Sequence, residues 1–182
     1  MENEGLIEAI RNGELDMVEM LIRNGADVNV RDDQGRTPLM IASHNNNFDI
    51  VNALLFAGAN VHERDIWGQA VLIIAAYNDN PDIINRLIEA DADVNIRDNE
   101  GRTALMIASH NGNVRIVDRL IAVGADVNIR DNEGRTALAY ARQMNNNNIA
   151  GRLIRVNIVA LDHLENANDH LNNNNNDHFR MR

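Results

Sequence analysis

Four glycines, Gly35, Gly68, Gly101 and Gly134, stand 33 residues apart in a chain of 182. No other feature limits the fold as much, because a fixed period of this length means one structural unit stacked on copies of itself. The same spacing holds for Asp32, Asp65, Asp98 and Asp131, for Leu39, Leu72, Leu105 and Leu138, and for Ala42, Ala75, Ala108 and Ala141. Between these marks the apolar pairs recur as well. Ile50-Val51 matches Ile83-Ile84 and Ile116-Val117, and Leu54-Leu55 matches Leu87-Ile88, Leu120-Ile121 and Leu153-Ile154. Apolar residues at this spacing predict two short amphipathic helices in each unit. One such unit cannot bury its apolar face alone, so neighbours must stack and stability becomes nearly a sum of nearest-neighbour contributions.

The residue types suit these places. Thr37 is a helix N-cap, with Pro38 following where a missing N–H does no harm, and Thr103-Ala104 and Thr136-Ala137 keep the cap. Gly25, Gly58 and Gly124 stand just past a helix end, where a left-handed turn is expected.

Residues 98–130 read DNEGRTALMIASHNGNVRIVDRLIAVGADVNIR, and this resembles the ankyrin-repeat unit, D-x-x-G-x-T-P-L-x-x-A followed by I-V-x-x-L-L-x-x-G-A-D-V-N. The resemblance spans roughly residues 5–155. It implies an all-α ankyrin-repeat solenoid of helix-turn-helix units joined by β-hairpin loops, with about five repeats. The expected domain is 1–155, in units 1–31, 32–64, 65–97, 98–130 and 131–155, followed by an Asn-rich tail at 156–182 that carries a short capping helix. The first and last units depart from the pattern, as terminal caps of a solenoid do. The resemblance further implies a non-enzymatic scaffold or adaptor that binds a partner protein on its concave face. Two alternatives stay open at this point: a noncatalytic regulatory subunit or inhibitor of an enzyme, and an ankyrin-type effector acting on host proteins.

Repeated positions hold such a scaffold together, so specificity is expected where the repeat is broken. In ankyrin proteins the hairpin tips and the exposed end of the first helix form the partner groove. The third unit stands out there: Ile66-Trp67 occupies a tip where the others have Asp33-Gln34, Asn99-Glu100 and Asn132-Glu133, and Tyr77 replaces the histidine seen at His44 and His110. Trp, Tyr and Arg dominate binding energy at protein interfaces. The expected partner-binding residues are therefore Trp67, Ile66 and Tyr77, with Arg36, His44, Arg64, Gln69, Arg102, His110 and Arg135 around them. The competing reading has Trp67 packing internally to support a weak unit, since Ala70 stands in place of the capping Thr and Asp91 in place of the usual Gly. The periodic Arg31, Arg64, Arg97 and Arg130, beside the periodic aspartates, read as ties between hairpins.

Composition narrows the function further. A net charge of −10 argues against nucleic acid, whose binding requires a basic surface. The apolar run from Ala70 to Ala76 is too short to span a bilayer, so no membrane partner is expected. With no cysteine, thiolate metal sites and disulfides are excluded, and a reducing, cytoplasmic location follows as the expectation. No catalytic grouping, metal site or cofactor is expected, and the chain is read as a monomer. The pairs Asp162-His163, Asp169-His170 and Asp177-His178 in the tail are read as polar chain end rather than metal ligands. All 17 basic residues are arginine, a bias that folding does not explain.

Overall fold

A computed structural model describes residues 2–158 of the chain. Helices follow one another in pairs: α1 (Glu2–Asn12) and α2 (Leu15–Arg23), α3 (Pro38–His44) and α4 (Phe48–Phe56), α5 (Val71–Tyr77) and α6 (Pro81–Glu89), α7 (Ala104–Asn111) and α8 (Val114–Ala122), then α9 (Ala137–Gln143). A tenth helix, α10, covers 147–158 in its described part. The capping helix and the histidine pairs expected in the tail lie outside the described residues. The odd-numbered helices stack in one row from α1 to α9, and α2, α4, α6 and α8 stack in a second. This is an all-α repeat fold.

The two rows differ as their sequences require. In α5 every residue from Val71 to Ala76 is buried, and Pro38–Ser43 and Ala104–Ser109 are buried likewise in α3 and α7. A helix apolar all round belongs inside. The second row buries a single stripe per helix, Ile50, Val51 and Leu54 in α4, Ile83, Ile84 and Leu87 in α6, and Ile116, Val117 and Leu120 in α8. Ala42, Ala75, Ala108 and Ala141 are fully buried, their small side chains letting consecutive inner helices approach.

The loops between units are tight hairpins rather than strands; among the described residues the one β-bridge pairs Arg64 with Ala70. Within each hairpin the aspartate folds the chain back on itself. Asp32 Oδ1 accepts the backbone N–H groups of Gln34 and Arg36, and Asp65, Asp98 and Asp131 do the same two and four residues on. Successive tips are then joined by backbone hydrogen bonds: Ile66 N to Gln34 O at 3.1 Å, Asn99 N to Trp67 O at 3.0 Å, and Asn132 N to Glu100 O at 2.9 Å.

The periodic arginines add a second set of ties, made to carbonyls rather than to the neighbouring aspartates. Arg31 donates to Arg64 O at 2.9 Å and Arg97 to Arg130 O at 2.9 Å, and Arg64 donates to Arg97 O and back to Gly68 O. Asparagines supply a third set. The Nδ2 groups of Asn45, Asn78, Asn111 and Asn146 reach across to the last carbonyls of the preceding inner helix, which have no partner within that helix. The loop asparagines Asn29 and Asn95 accept from the backbone N–H of Asn60 and Asp126 in the following unit, each at 2.8 Å.

Thr37 and Thr103 cap α3 and α7, accepting from Met40 N and Met106 N at 3.4 Å. Thr136 makes no such bond, in contrast to its expected role. The Gly25, Gly58 and Gly124 turns are left-handed as expected, and Asp91 adopts the same conformation in the third unit at φ +65°.

Candidate functional site

A groove of about 420 Å³ runs between the second and third units. Its walls come from the hairpin preceding α3 (Gln34, Arg36), from α3 itself (Met40, His44), from the next hairpin (Asp65, Trp67, Gln69) and from α5 and its end (Ile74, Tyr77, Asn78). Of the residues expected from sequence, Trp67, Tyr77, Arg36, His44 and Gln69 thus meet in one place. Trp67 is 47% exposed and Tyr77 39% exposed, although large aromatics bury well where a core is available.

Two of the others lie beside it. Ile66, 59% exposed, leans back over the preceding hairpin, where a Cβ on Gly35 would meet its Cγ2 at 3.5 Å. Arg64 has its guanidinium engaged by Gly68 O and Arg97 O, as part of the hairpin ladder. Arg102 reaches the site through Tyr77, its guanidinium carbon lying 5.8 Å from the ring centre. His110 and Arg135 are gathered one to two units further on, around Tyr140.

Charge is handled locally. Arg36 grips Asp32 through Nε at 3.0 Å and Nη2 at 2.8 Å. Burial pushes the Asp32 carboxyl up, but the bonds from Arg36 and from two backbone N–H groups outweigh it and hold the pKa below the ordinary value. Arg102 binds Asp98 and Glu100 at 2.8 Å each, and Arg135 binds Asp131 and Glu133 at the same distance. Burial would lower the Arg102 pKa, yet the Asp98 bond raises it; for Arg135 the Asp131 bond is the leading cause of the same direction. Tyr77 is raised above its ordinary value, mainly by burial, with Arg102 opposing.

Asp65 breaks this pattern. It is 7% exposed, its Oδ1 accepts from Trp67 N at 3.0 Å and Gln69 N at 2.8 Å, and among the described residues no guanidinium pairs with it. The reason is Gln69, which stands where the other hairpins carry Arg36, Arg102 and Arg135. Asp65, Met40 and Ile74 were not among the sequence candidates. The substitution of Gln for Arg in the period was the available signal for Asp65. Met40 and Ile74 repeat with the scaffold and carry no such mark.

A larger groove of about 540 Å³ lies beside α1, lined by Arg11, Arg31, Asp32 and Arg36 among others. Its main charges are already paired, Asp32 with both Arg11 at 3.2 Å and Arg36 at 2.8 Å, and it presents no aromatic ring. Among the described residues no three His, Asp or Glu side chains are grouped to hold a metal ion, and no helix is long and apolar enough to cross a membrane.

No curated protein matches the chain. The family model for ankyrin repeats (3 copies) matches residues 2–65 and 72–162, together most of the sequence. With paired helices on a 33-residue period, tied hairpin to hairpin, the chain belongs to the ankyrin-repeat family.

Proposed function

We propose that this protein is a non-catalytic scaffold or adaptor that binds a partner protein in the groove between its second and third units, with Trp67 as the anchor. Ankyrin-repeat domains commonly mediate protein–protein interaction and typically carry no chemistry of their own. The observation that carries the reading is the pair Trp67 and Tyr77, left half-exposed in a groove whose polar rim includes Gln34, Arg36 and His44. An aromatic anchor in a concavity with polar surroundings is the arrangement that concentrates binding energy at interfaces. The competing role for Trp67, internal packing, is weakened by its exposure. Its backbone carbonyl serves the hairpin ladder, a task that needs no indole. A cytoplasmic setting is part of the proposal, and a chain without cysteine suits a reducing compartment.

Affinity capture from the native organism with wild type and Trp67→Ala side by side tests the reading. A partner retained by the wild type and lost from Trp67→Ala, with thermal unfolding of the two proteins alike, is the expected result. Equal recovery of every partner by both proteins overturns it.

A further inference from the structure

Three hairpins of this solenoid show what fills the second oxygen of their aspartate. Arg36 Nε lies 3.0 Å from Asp32 Oδ2, Arg102 Nε 2.8 Å from Asp98 Oδ2, and Arg135 Nε 2.8 Å from Asp131 Oδ2. The third hairpin has the same aspartate, buried as Asp98 and Asp131 are and folded by the same two backbone N–H bonds, but Gln69 leaves its Oδ2 without a donor among the described residues. A carboxylate oxygen that receives no donor from its own hairpin can accept a charged one from outside the chain. This one opens into the groove that holds Trp67 and Tyr77.

We propose that the groove receives an arginine side chain of the partner protein, its guanidinium taking Asp65 Oδ2 in the place that Arg36, Arg102 and Arg135 take in their own hairpins, beside the Trp67 ring. The inference rests on the reading of this groove as the partner surface and names the partner's chemistry. Other groups around the groove leave Asp65 available. Arg36 is bound to Asp32, Arg102 is bound to Asp98 and Glu100, and His44 and Tyr77 complete the titratable walls. An arginine suits the place better than a lysine, because a planar guanidinium can bond a carboxylate edge and stack on an aromatic ring at once. Arg102 over Tyr77 and Arg135 over Tyr140 show that combination within this chain. A net charge of −10 also favours approach by a basic segment.

The test uses the full chain and pools of short capped peptides, otherwise uncharged, whose central residue is arginine, lysine or the neutral isostere citrulline. Binding is followed by Trp67 fluorescence, the single tryptophan of the chain, and by calorimetry. Wild type is expected to bind the arginine pool about tenfold or more tighter than the citrulline pool, the usual worth of a hydrogen bond to a charged group. Gln69→Arg, which supplies the missing guanidinium from within, is expected to abolish that preference while unfolding no earlier than wild type. Asp65→Asn, which keeps the Oδ1 acceptor, is expected to abolish it too. Equal affinity for the three pools, lost in Trp67→Ala, overturns the arginine inference and leaves the groove as the partner surface. An arginine preference unchanged in Gln69→Arg also overturns the inference, as does no binding of any pool. Arginine binding that survives Trp67→Ala overturns the inference and the groove together.

Discussion

Tyr140 donates its hydroxyl to Asp131 Oδ2 at 2.7 Å, joining the last inner helix to the hairpin before it, at a position held by Ile41, Ile74 and Ile107 in the preceding units. Arg135 completes the junction. Its Nη2 donates to the same hydroxyl at 2.9 Å, and its guanidinium carbon lies 4.8 Å from the ring centre. His110 from the previous unit meets the ring edge-on, centroids 6.1 Å apart. Earlier hairpins are tied to a hairpin on each side or to the one that follows. No hairpin follows Asp131 among the described residues, and the tyrosine ties it downward to α9 instead.

Tyr140→Phe keeps the ring and removes this bond, so it is expected to lower unfolding stability by about 1–3 kcal/mol near neutral pH. The difference from wild type should depend on pH at both ends. Burial pushes the Asp131 carboxyl up, but bonds from Tyr140, Arg135 and the backbone bring it down from 3.8 to about 2. A depressed folded pKa contributes stability that is fully present above the unfolded value and is lost as pH falls through about 2. Burial and Asp131 raise Tyr140 from 10.0 to about 12, so its contribution is fully present below 10 and is lost as pH rises through about 12. Urea unfolding of both proteins across the pH range is the measurement. A gap between them that stays constant into acid and alkali would show that the bond carries none of it.

The asparagine run at 145–148 is expected to divide by role. Asn146 donates to Ser109 O at 2.9 Å and His110 O at 3.0 Å, whereas Asn148 is exposed. Asn146→Ala leaves two helix-end carbonyls without their donor and should destabilise by about 1–3 kcal/mol. Asn148→Ala should stay within about 0.5 kcal/mol of wild type, as exposed positions generally do. Denaturant midpoints for the two variants decide it; equal effects would remove the ladder as a source of stability.

Much of this architecture is legible in the chain itself, for a physical reason: a solenoid repeats its solution, so each apolar pair is written three or four times and the hairpin glycine four times. Ile83 and Ile84 can be placed on a buried stripe because Ile116 and Val117 say the same thing one period later. What stays hidden is what one unit does for its neighbour. Asn78, just past the end of α5, carries nothing in its local sequence that marks it as a tie between units. Its amide in fact crosses to Ser43 O at 3.2 Å, a bond that depends on the spacing between stacked helices rather than on local pattern. The aspartate-arginine pairing lies between these cases. Asp65 with Gln69 is a visible break in the period, yet its meaning emerges only once Arg36, Arg102 and Arg135 are seen closing the equivalent carboxylates. Tyr140 is a visible break of the same sort in a row of isoleucines.

The three threonine caps should separate by mutation. Thr103 is buried and bonds Met106 N, so Thr103→Ala is expected to destabilise by about 1 kcal/mol, and Thr37→Ala by a similar amount. Thr136 makes no cap bond, and Thr136→Ala should cost clearly less. Thermal unfolding of the three variants side by side checks the order. A loss at Thr136 as large as that at Thr103 would mean that something other than the cap sets these values.

Gly58 and Gly68 both occupy left-handed backbone, at φ +86° and +73°, so conformation alone predicts similar effects of alanine at the two places. Their surroundings differ. A Cβ at Gly58 meets nothing within 4 Å, so Gly58→Ala should cost only the left-handed strain, about 1–2 kcal/mol. At Gly68 a Cβ would overlap the Asn99 carboxamide and come within 2.9 Å of the Asn99 backbone nitrogen. That nitrogen donates to Trp67 O at 3.0 Å, and the carboxamide donates to Ile66 O at 3.1 Å, so relief of the clash must open the joint between the third and fourth hairpins. Gly68→Ala is therefore expected to be the more destabilising by at least about 1 kcal/mol, the worth of one such hydrogen bond. It should also speed amide hydrogen exchange at Asn99, while Gly58→Ala leaves that amide protected. Exchange measured by NMR separates strain from clash. If Asn99 exchanges alike in both variants, the hairpin joint yields without breaking, and the tips are held together mainly by Arg64 reaching Arg97 O rather than by the backbone ladder.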